Sequence, residues 1–286
     1  MTRFLCVAGL LLIGVAGCSA PAPTPSFHAD ANPRLLSEWG QVTVSGDTLD
    51  VSDGVVIYDL NSPLFTDYAL KLRTIWMPEG LAAGYREGDT LDFPVGTVIT
   101  KTFFYARADE PGAVLQGNGH VPLTPEGELD LSGLQLVETR ILVHREDGWE
   151  AVPYRWNEDQ TDAVLHRFGD VIPLRMIDAD GHDETFNYVM PDANQCASCH
   201  APDSNTRAIA PIGPKPRHLN RDFPYPDGTQ NQLEHLASVG FLTGFPGQDN
   251  APRNADWLDI SASLEDRARS YLDINCSHCH SPVGPA

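Results

Sequence analysis

The sequence predicts an α+β protein. An antiparallel β-rich domain, sandwich-like or barrel-like, is expected over residues 32–191, and a mostly α-helical or irregular region over residues 192–286. Three observations predict it. Short runs of β-branched and aromatic residues, separated by turn residues, fill the first stretch. Helical periodicity is scarce there and returns only near the C-terminus. Between the two lies a Pro-rich, irregular segment over residues 201–226.

Taken in order, residues 1–18 read as an export signal. Arg3 is followed by an apolar run over residues 4–15, too short to span a bilayer and the right length for a signal core. The run ends in Val15-Ala16-Gly17-Cys18, which is similar to a lipobox, so Cys18 is the expected lipidated first residue of the mature chain. An ordinary signal peptide with an incidental Cys18 is the alternative. Residues 19–31 form a Pro/Ala/Ser tether suited to holding a protein off a membrane. Export to the periplasmic side of a bacterial membrane is expected, with outer-membrane anchoring favoured by Ser19, or else secretion.

In the β-rich stretch, Asp53-Gly54 leads into a strand at Val55–Tyr58, and residues 98–105 form a second. Residues 138–145 and 149–156 flank Asp147-Gly148 as the clearest hairpin. Residues 176–177 and 185–189 suggest another around Asp178-Ala179-Asp180-Gly181. Trp39, Trp76, Trp149 and Trp156 are expected to pack in cores or on sheet faces. Farther on, a helix is expected over residues 229–241. A second begins at a Ser263-Leu264-Glu265-Asp266 box, with Leu264, Ala268, Tyr271 and Leu272 on one face, and runs into Cys276.

The most informative feature is a hexapeptide that occurs twice, as Gln195-Cys196-Ala197-Ser198-Cys199-His200 and as Asn275-Cys276-Ser277-His278-Cys279-His280. Each contains C-x-x-C-H. Two thiols three positions apart suit the two vinyl groups of one porphyrin, and the adjoining imidazole suits its iron. The pattern predicts two covalent haem c groups, on Cys196 and Cys199 with His200 as axial ligand, and on Cys276 and Cys279 with His280. A zinc site or a redox dithiol are the alternatives. A dithiol needs no histidine, and the two pairs lie farther apart than ordinary zinc spacing. Of the 6 cysteines, the remaining two are Cys6 and Cys18 in the leader, so no pair is left for a disulfide.

For the first haem no methionine lies downstream before Cys276. His235 and His218 are the local candidates for its sixth ligand, and Met77, Met176 and Met190 are the other methionines of the mature chain. Among residues 201–221 the cations Arg207, Lys215, Arg217 and Arg221 face one acid, Asp203. That excess suits haem carboxylates, a docking patch or plain solvated charge. The net charge of −20 argues against nucleic acid or an anionic membrane surface as partner and suits a basic redox protein or simple solubility.

Several stretches together are similar to a bacterial family of secreted dihaem c-type cytochromes. They are Leu60-Asn61-Ser62-Pro63-Leu64-Phe65-Thr66-Asp67-Tyr68, Pro94-Val95-Gly96-Thr97, Glu138-Thr139-Arg140-Ile141, Trp156-Asn157-Glu158-Asp159, Pro211-Ile212-Gly213-Pro214-Lys215 and Tyr271-Leu272-Asp273-Ile274-Asn275-Cys276. Similar segments occur in cytochrome-like regions attached to some secreted sugar dehydrogenases. The resemblance covers nearly all of the mature chain. It implies electron transfer outside the cytoplasm with a dehydrogenase or another cytochrome as partner. It also implies a dihaem cytochrome c-like region over residues 192–286, from which this chain departs in having only six residues after His280: the expectation is an incomplete C-terminus or a second haem whose pocket comes from the β-domain or a partner. Two other functions are carried forward: a peroxidase-like dihaem oxidoreductase with an open iron, and a β-domain binding module to which haems deliver electrons. No catalytic residue is assigned, because the scattered carboxylates and hydroxyls form no recognisable catalytic set.

Overall fold

In a computed structural model, residues 24–119 and 121–285 are described. The expected export signal, with Cys6 and Cys18, lies outside them. The chain is strand-rich. The strands are β1 (Val42–Ser45), β2 (Thr48–Val51), β3 (Val56–Tyr58), β4 (Leu70–Trp76), β5 (Ala83–Gly84), β6 (Val98–Ala106), β7 (Ala113–Leu115) and β8 (Leu129–Asp130). They continue as β9 (Leu134–Arg145), β10 (Gly148–Trp156), β11 (Ala163–Leu165), β12 (Asp170–Ile177) and β13 (Asp183–Met190). Helix α1 (Ala193–His200) follows, then α2 (Pro216–Leu219), β14 (Asp222–Tyr225), β15 (Gly228–Asn231), α3 (Gln232–Ser238), β16 (Leu242–Thr243) and α4 (Leu264–Cys276).

The organising unit is an open six-stranded sheet in the order β11-β10-β9-β6-β4-β3, every neighbouring pair antiparallel. The expected hairpin, β9-β10, forms its second and third strands. β9 and β10 pair from Arg145 opposite Gly148 outward, around a two-residue loop of Glu146 and Asp147. Gly148 has φ of +119°, which a residue with a Cβ rarely adopts, and this fixes the register of the hairpin. β4 and β6 are buried on both faces, as the unbroken apolar and threonine runs in their sequences require.

One face of this sheet packs under the small β1-β2-β8 sheet. Leu72, Phe104, Ile141, Val143 and Tyr154 meet Trp39, Val42, Leu49 and Leu129 there. The indole of Trp39, fully buried, donates to Tyr154 Oη at 2.7 Å. A polar seam runs through this core: Thr74 and Thr100 Oγ1 lie 2.5 Å apart, Thr102 and Thr139 Oγ1 2.8 Å apart, and Trp156 Nε1 donates to Thr139. Each threonine hydroxyl of this seam thus finds a partner.

The opposite face is covered in two places. At one end Phe103, Tyr105 and Val137 pack against Leu174, Met176 and Tyr188 of the β12-β13 hairpin. At the other, Tyr58, Ile75 and Ile99 pack against Leu219, Leu233, Leu236, Leu242 and Ile274. The C-terminal stretch therefore shares a core with the sheet. β16 also pairs, in parallel, with β5.

Two expectations about the C-terminal stretch need correction. The helix expected from residue 229 starts at Gln232, because residues 228–231 pair with β14 as a hairpin. Asn231 then caps the helix by accepting from Leu233 N. Helix α4 begins as expected, with Ser263 Oγ accepting from Asp266 N at 3.0 Å. The face it buries is the other one: Ser270 and Ile274 are buried, whereas Leu264 and Leu272 are 74% and 55% exposed.

Candidate functional site

Between the two covered ends of the second sheet face lies a cavity of about 210 Å³, open at one side. Its floor is the sheet, with Arg73, Ile99, Lys101, Arg140, Leu142 and Pro153. Its walls include Leu60, Leu64, Ile212, Pro214 and Ile274, and its rim carries Cys196, Cys199 and His200.

Helix α1 sets the rim. Pro191 ends the extended chain, and Asp192 caps the helix by accepting from Gln195 N at 2.7 Å while Gln195 Oε1 accepts from Asp192 N at 2.9 Å. Within one helix, positions 196, 199 and 200 are spaced i, i+3 and i+4, so both thiols and the imidazole share a side. Cys196 is buried and its Sγ donates to Asp192 O, and burial raises its pKa. Cys199 is exposed. His200 Nδ1 donates to Ala210 O at 3.0 Å, and Ala210 N returns a bond to His200 O at 2.7 Å. Burial, reinforced by nearby Lys101, pulls His200 down to about 4. The ring is therefore neutral at pH 7, with Nδ1–H occupied and the Nε2 lone pair left to act as a ligand.

The second motif follows α4 in a tight turn, where Cys279 N and His280 N both donate to Cys276 O. It reaches the first motif directly. Cys279 Sγ lies 3.8 Å from Ser198 O, and Ser204 N donates to Val283 O at 2.9 Å. Cys276, Cys279 and His280 do not line the cavity, and His280 is exposed whereas His278 is buried. The four described cysteines are free thiols. Among the described residues, the only group of three His, Cys, Asp or Glu ligand atoms close enough to share one ion is Asp178, Asp180 and His182, on the β12-β13 turn. The motif cysteines and histidines are not arranged as one zinc site.

The floor carries what sequence reasoning missed. Arg73 on β4 pairs with Lys101 on β6, which pairs with Arg140 on β9, so three cations stand in a row across three strands. Lys71 stands in the next row, its Nζ donating to Ala69 O at 2.7 Å. Cationic groups of Lys71, Lys101 and Arg140 lie over the Phe103 ring, at 5.6, 5.3 and 4.4 Å from its centroid. Two carboxylates answer these four cations. Asp59 binds Arg73 at 2.8 Å, and Glu138, fully buried, takes Arg140 Nε at 2.9 Å and Tyr188 Oη at 2.5 Å. Lys101 makes no hydrogen bond or ion pair among the described residues, and Arg73 Nη2 is buried without a partner. Like charges directly across strands repel, and burial with that repulsion lowers Lys101 to about 7 and Lys71 to about 6. The signal was present as Lys71, Arg73, Lys101 and Arg140 at inward positions of otherwise apolar strands, but only the strand registers align them.

Two of the four basic residues singled out in the irregular segment, Arg217 and Arg221, have structural partners. Arg217 grips Asp273 at 2.7 and 2.8 Å, and Arg221 reaches Leu60 O, Asp59 and Asp256. Of the candidate sixth ligands, His218 lines the cavity. His235 does not: its ring stacks on Tyr225 at 3.6 Å. Met77, Met176 and Met190 are core residues that do not line it either.

Asp273, two residues before the second motif, accepts from Arg217, from His218 Nε2 at 2.8 Å and from Asn254 Nδ2 at 2.9 Å. Burial alone would raise its pKa, but the bonds from His218, Arg217 and Asn254 outweigh it and hold the carboxyl well below the usual range. A depressed carboxyl stabilises the fold above the unfolded pKa, and that contribution disappears as pH falls below it. Asp273→Asn is therefore expected to be less stable at pH 7. Its stability should also change less than the parent's between about pH 5 and pH 2, which urea unfolding across that range would measure.

Comparison with protein-family models, with curated proteins and with solved structures finds no match to this chain. The functional reading rests on the residues themselves.

Proposed function

We propose that this chain is an extracytoplasmic dihaem c-type cytochrome that carries electrons between redox partner proteins, held to a bacterial membrane through lipid on Cys18. In this reading the C-terminal stretch is the haem-bearing, cytochrome c-like part, seated on a β-rich domain. The observation that carries it is the first C-x-x-C-H at the rim of an apolar cavity, with its histidine neutral and Nδ1 tied to a backbone carbonyl.

The residues present fit haem c. Cys196 and Cys199 would hold one porphyrin with His200 as its axial ligand, and Cys276 and Cys279 a second with His280. Bound haem supplies the one-electron couple of its iron. The chain's own residues do the rest. Ile99, Leu142, Leu60 and Ile212 line the cavity with apolar surface, and Lys101, standing between the paired Arg73 and Arg140 with no ion-pair partner among the described residues, is the cation left for a carboxylate group. The two motifs touch through Cys279 and Ser198, a proximity that supports transfer between two groups in this reading. The acidic exterior suits a basic partner.

The test is haem counting by intact mass and an optical spectrum on protein matured with the cytochrome c assembly machinery. Two covalent haems are expected, falling to one in Cys196→Ala/Cys199→Ala and to one in Cys276→Ala/Cys279→Ala. Protein that matures without any covalent haem would refute the reading.

A further inference from the structure

We propose that His218 is the sixth ligand of the iron carried at Cys196, Cys199 and His200, giving that haem two imidazole ligands; this rests on the cytochrome reading above. His218 and His200 line the same cavity from different elements, α2 and α1. Among the described residues they are the only histidines that do so, and no methionine does.

The ring of His218 is set up as a ligand is. It is 3% exposed, and its Nε2–H donates to Asp273 at 2.8 Å. Asp273 is in turn fixed by Arg217 and Asn254, so the ring cannot swing. The other nitrogen, Nδ1, is buried without a hydrogen-bond partner. It lies on the Gly213 side, where a Cβ on that glycine would come within 3.9 Å of it, and Gly213 is itself part of the cavity wall. A buried imidazole nitrogen with no partner carries a desolvation cost, and coordination would remove it. A carboxylate behind a ligating imidazole both fixes the tautomer and strengthens the donor. His200 shows the complementary arrangement, with Nδ1 occupied and Nε2 available. Ile212, Gly213 and Pro214, in the segment between these two histidines, line the same cavity.

The test uses the matured, full-length protein and reads electron paramagnetic resonance with spin counting, backed by optical spectra with carbon monoxide. In His218→Ala one haem equivalent should pass from low to high spin and bind carbon monoxide, and added imidazole should restore the low-spin state. His218→Met should keep that haem low-spin and raise its potential, since methionine ligation does so. Asp273→Asn should also raise the potential while leaving the spin state unchanged. The proposal is overturned if His218→Ala keeps both haems low-spin and inert to carbon monoxide, or if the parent's first haem is already high-spin. If His218→Ala does not fold, a folded His218→Met with an unchanged spectrum and potential overturns it equally. Absence of covalent haem in the parent would instead remove the cytochrome reading, a result that intact mass separates from the others.

Discussion

Glu138→Ala is expected to lose about 3–5 kcal/mol of stability, the loss that follows when one partner of a buried ion pair is removed. Glu138 is fully buried and is, among the described residues, the only carboxylate bound to Arg140, which it meets through two guanidinium nitrogens. It also accepts from Tyr188 on β13, so it joins the central sheet to the hairpin covering one end. Without it, Arg140 stands beside Lys101 and Arg73 with Asp59 as the remaining counter-charge, and Tyr188 Oη is left buried with no acceptor. The asymmetry of such sites gives a sharper check. Glu138→Met combined with Arg140→Met should cost markedly less than Glu138→Ala alone, because no orphan charge remains. Urea midpoints of the three proteins decide it. Equal losses for the single and double variants would mean that packing volume, rather than charge, controls this site.

Alkali is expected to stabilise the haem-free chain, by a few kcal/mol between about pH 7 and pH 9. Lys71 and Lys101 have folded pKa values of about 6 and about 7, against 10.5 for a free lysine. Between those limits the unfolded chain binds protons that the folded chain does not, so stability rises with pH. Each unit of that interval is worth about 1.4 kcal/mol per lysine before water penetration and relaxation reduce it. Below about pH 6 the full cost of holding both charges is present. Above about pH 10 the trend reverses, because burial raises Tyr58 to about 12 and pushes Tyr225 up as well, and ionising buried phenols costs stability. Lys101→Met should flatten the rise. Unfolding curves from pH 6 to pH 10, on protein made without the haem-attachment machinery, provide the measurement. A parent whose stability falls over this range would show that the lysines are solvated.

Local chemistry was legible in the sequence wherever it alone decides structure. The β9-β10 hairpin followed from Asp147-Gly148 between two β-branched runs, and the start of α4 from Ser263 three positions before Asp266. The two C-x-x-C-H motifs were legible because their pattern lies within a single turn of chain. What pairs at a distance was not. Residues 228–231 continue a helical pattern, but Tyr225 and Gly228 close a turn that draws them into a hairpin. On α4 the apolar face was visible, yet Ser270 donating to Ala255 O and Asp273 held by Arg217 and His218 turn the other face inward. The cation row is the clearest case. Arg73, Lys101 and Arg140 lie far apart in sequence, and only antiparallel register makes them neighbours.

The division of the cavity between its floor and its roof also bears on how the protein is made. Strands β4, β6, β9 and β10 supply the floor, whereas the rim and part of the walls come from α1, α4 and the segment leading into α2, which follow those strands in the chain. Until they arrive, Ile75, Ile99 and Leu142 form an uncovered apolar strip beside a line of hydrated cations. Contacts of such long sequence separation form slowly, and an uncovered apolar face is an aggregation hazard while they do. Nascent chain should therefore depend on a holding chaperone until the stretch from α1 to α4 has docked. The same lysines and arginines that strain the finished fold would, while still wetted by solvent, act as gatekeepers that keep the bare sheet from associating with another copy.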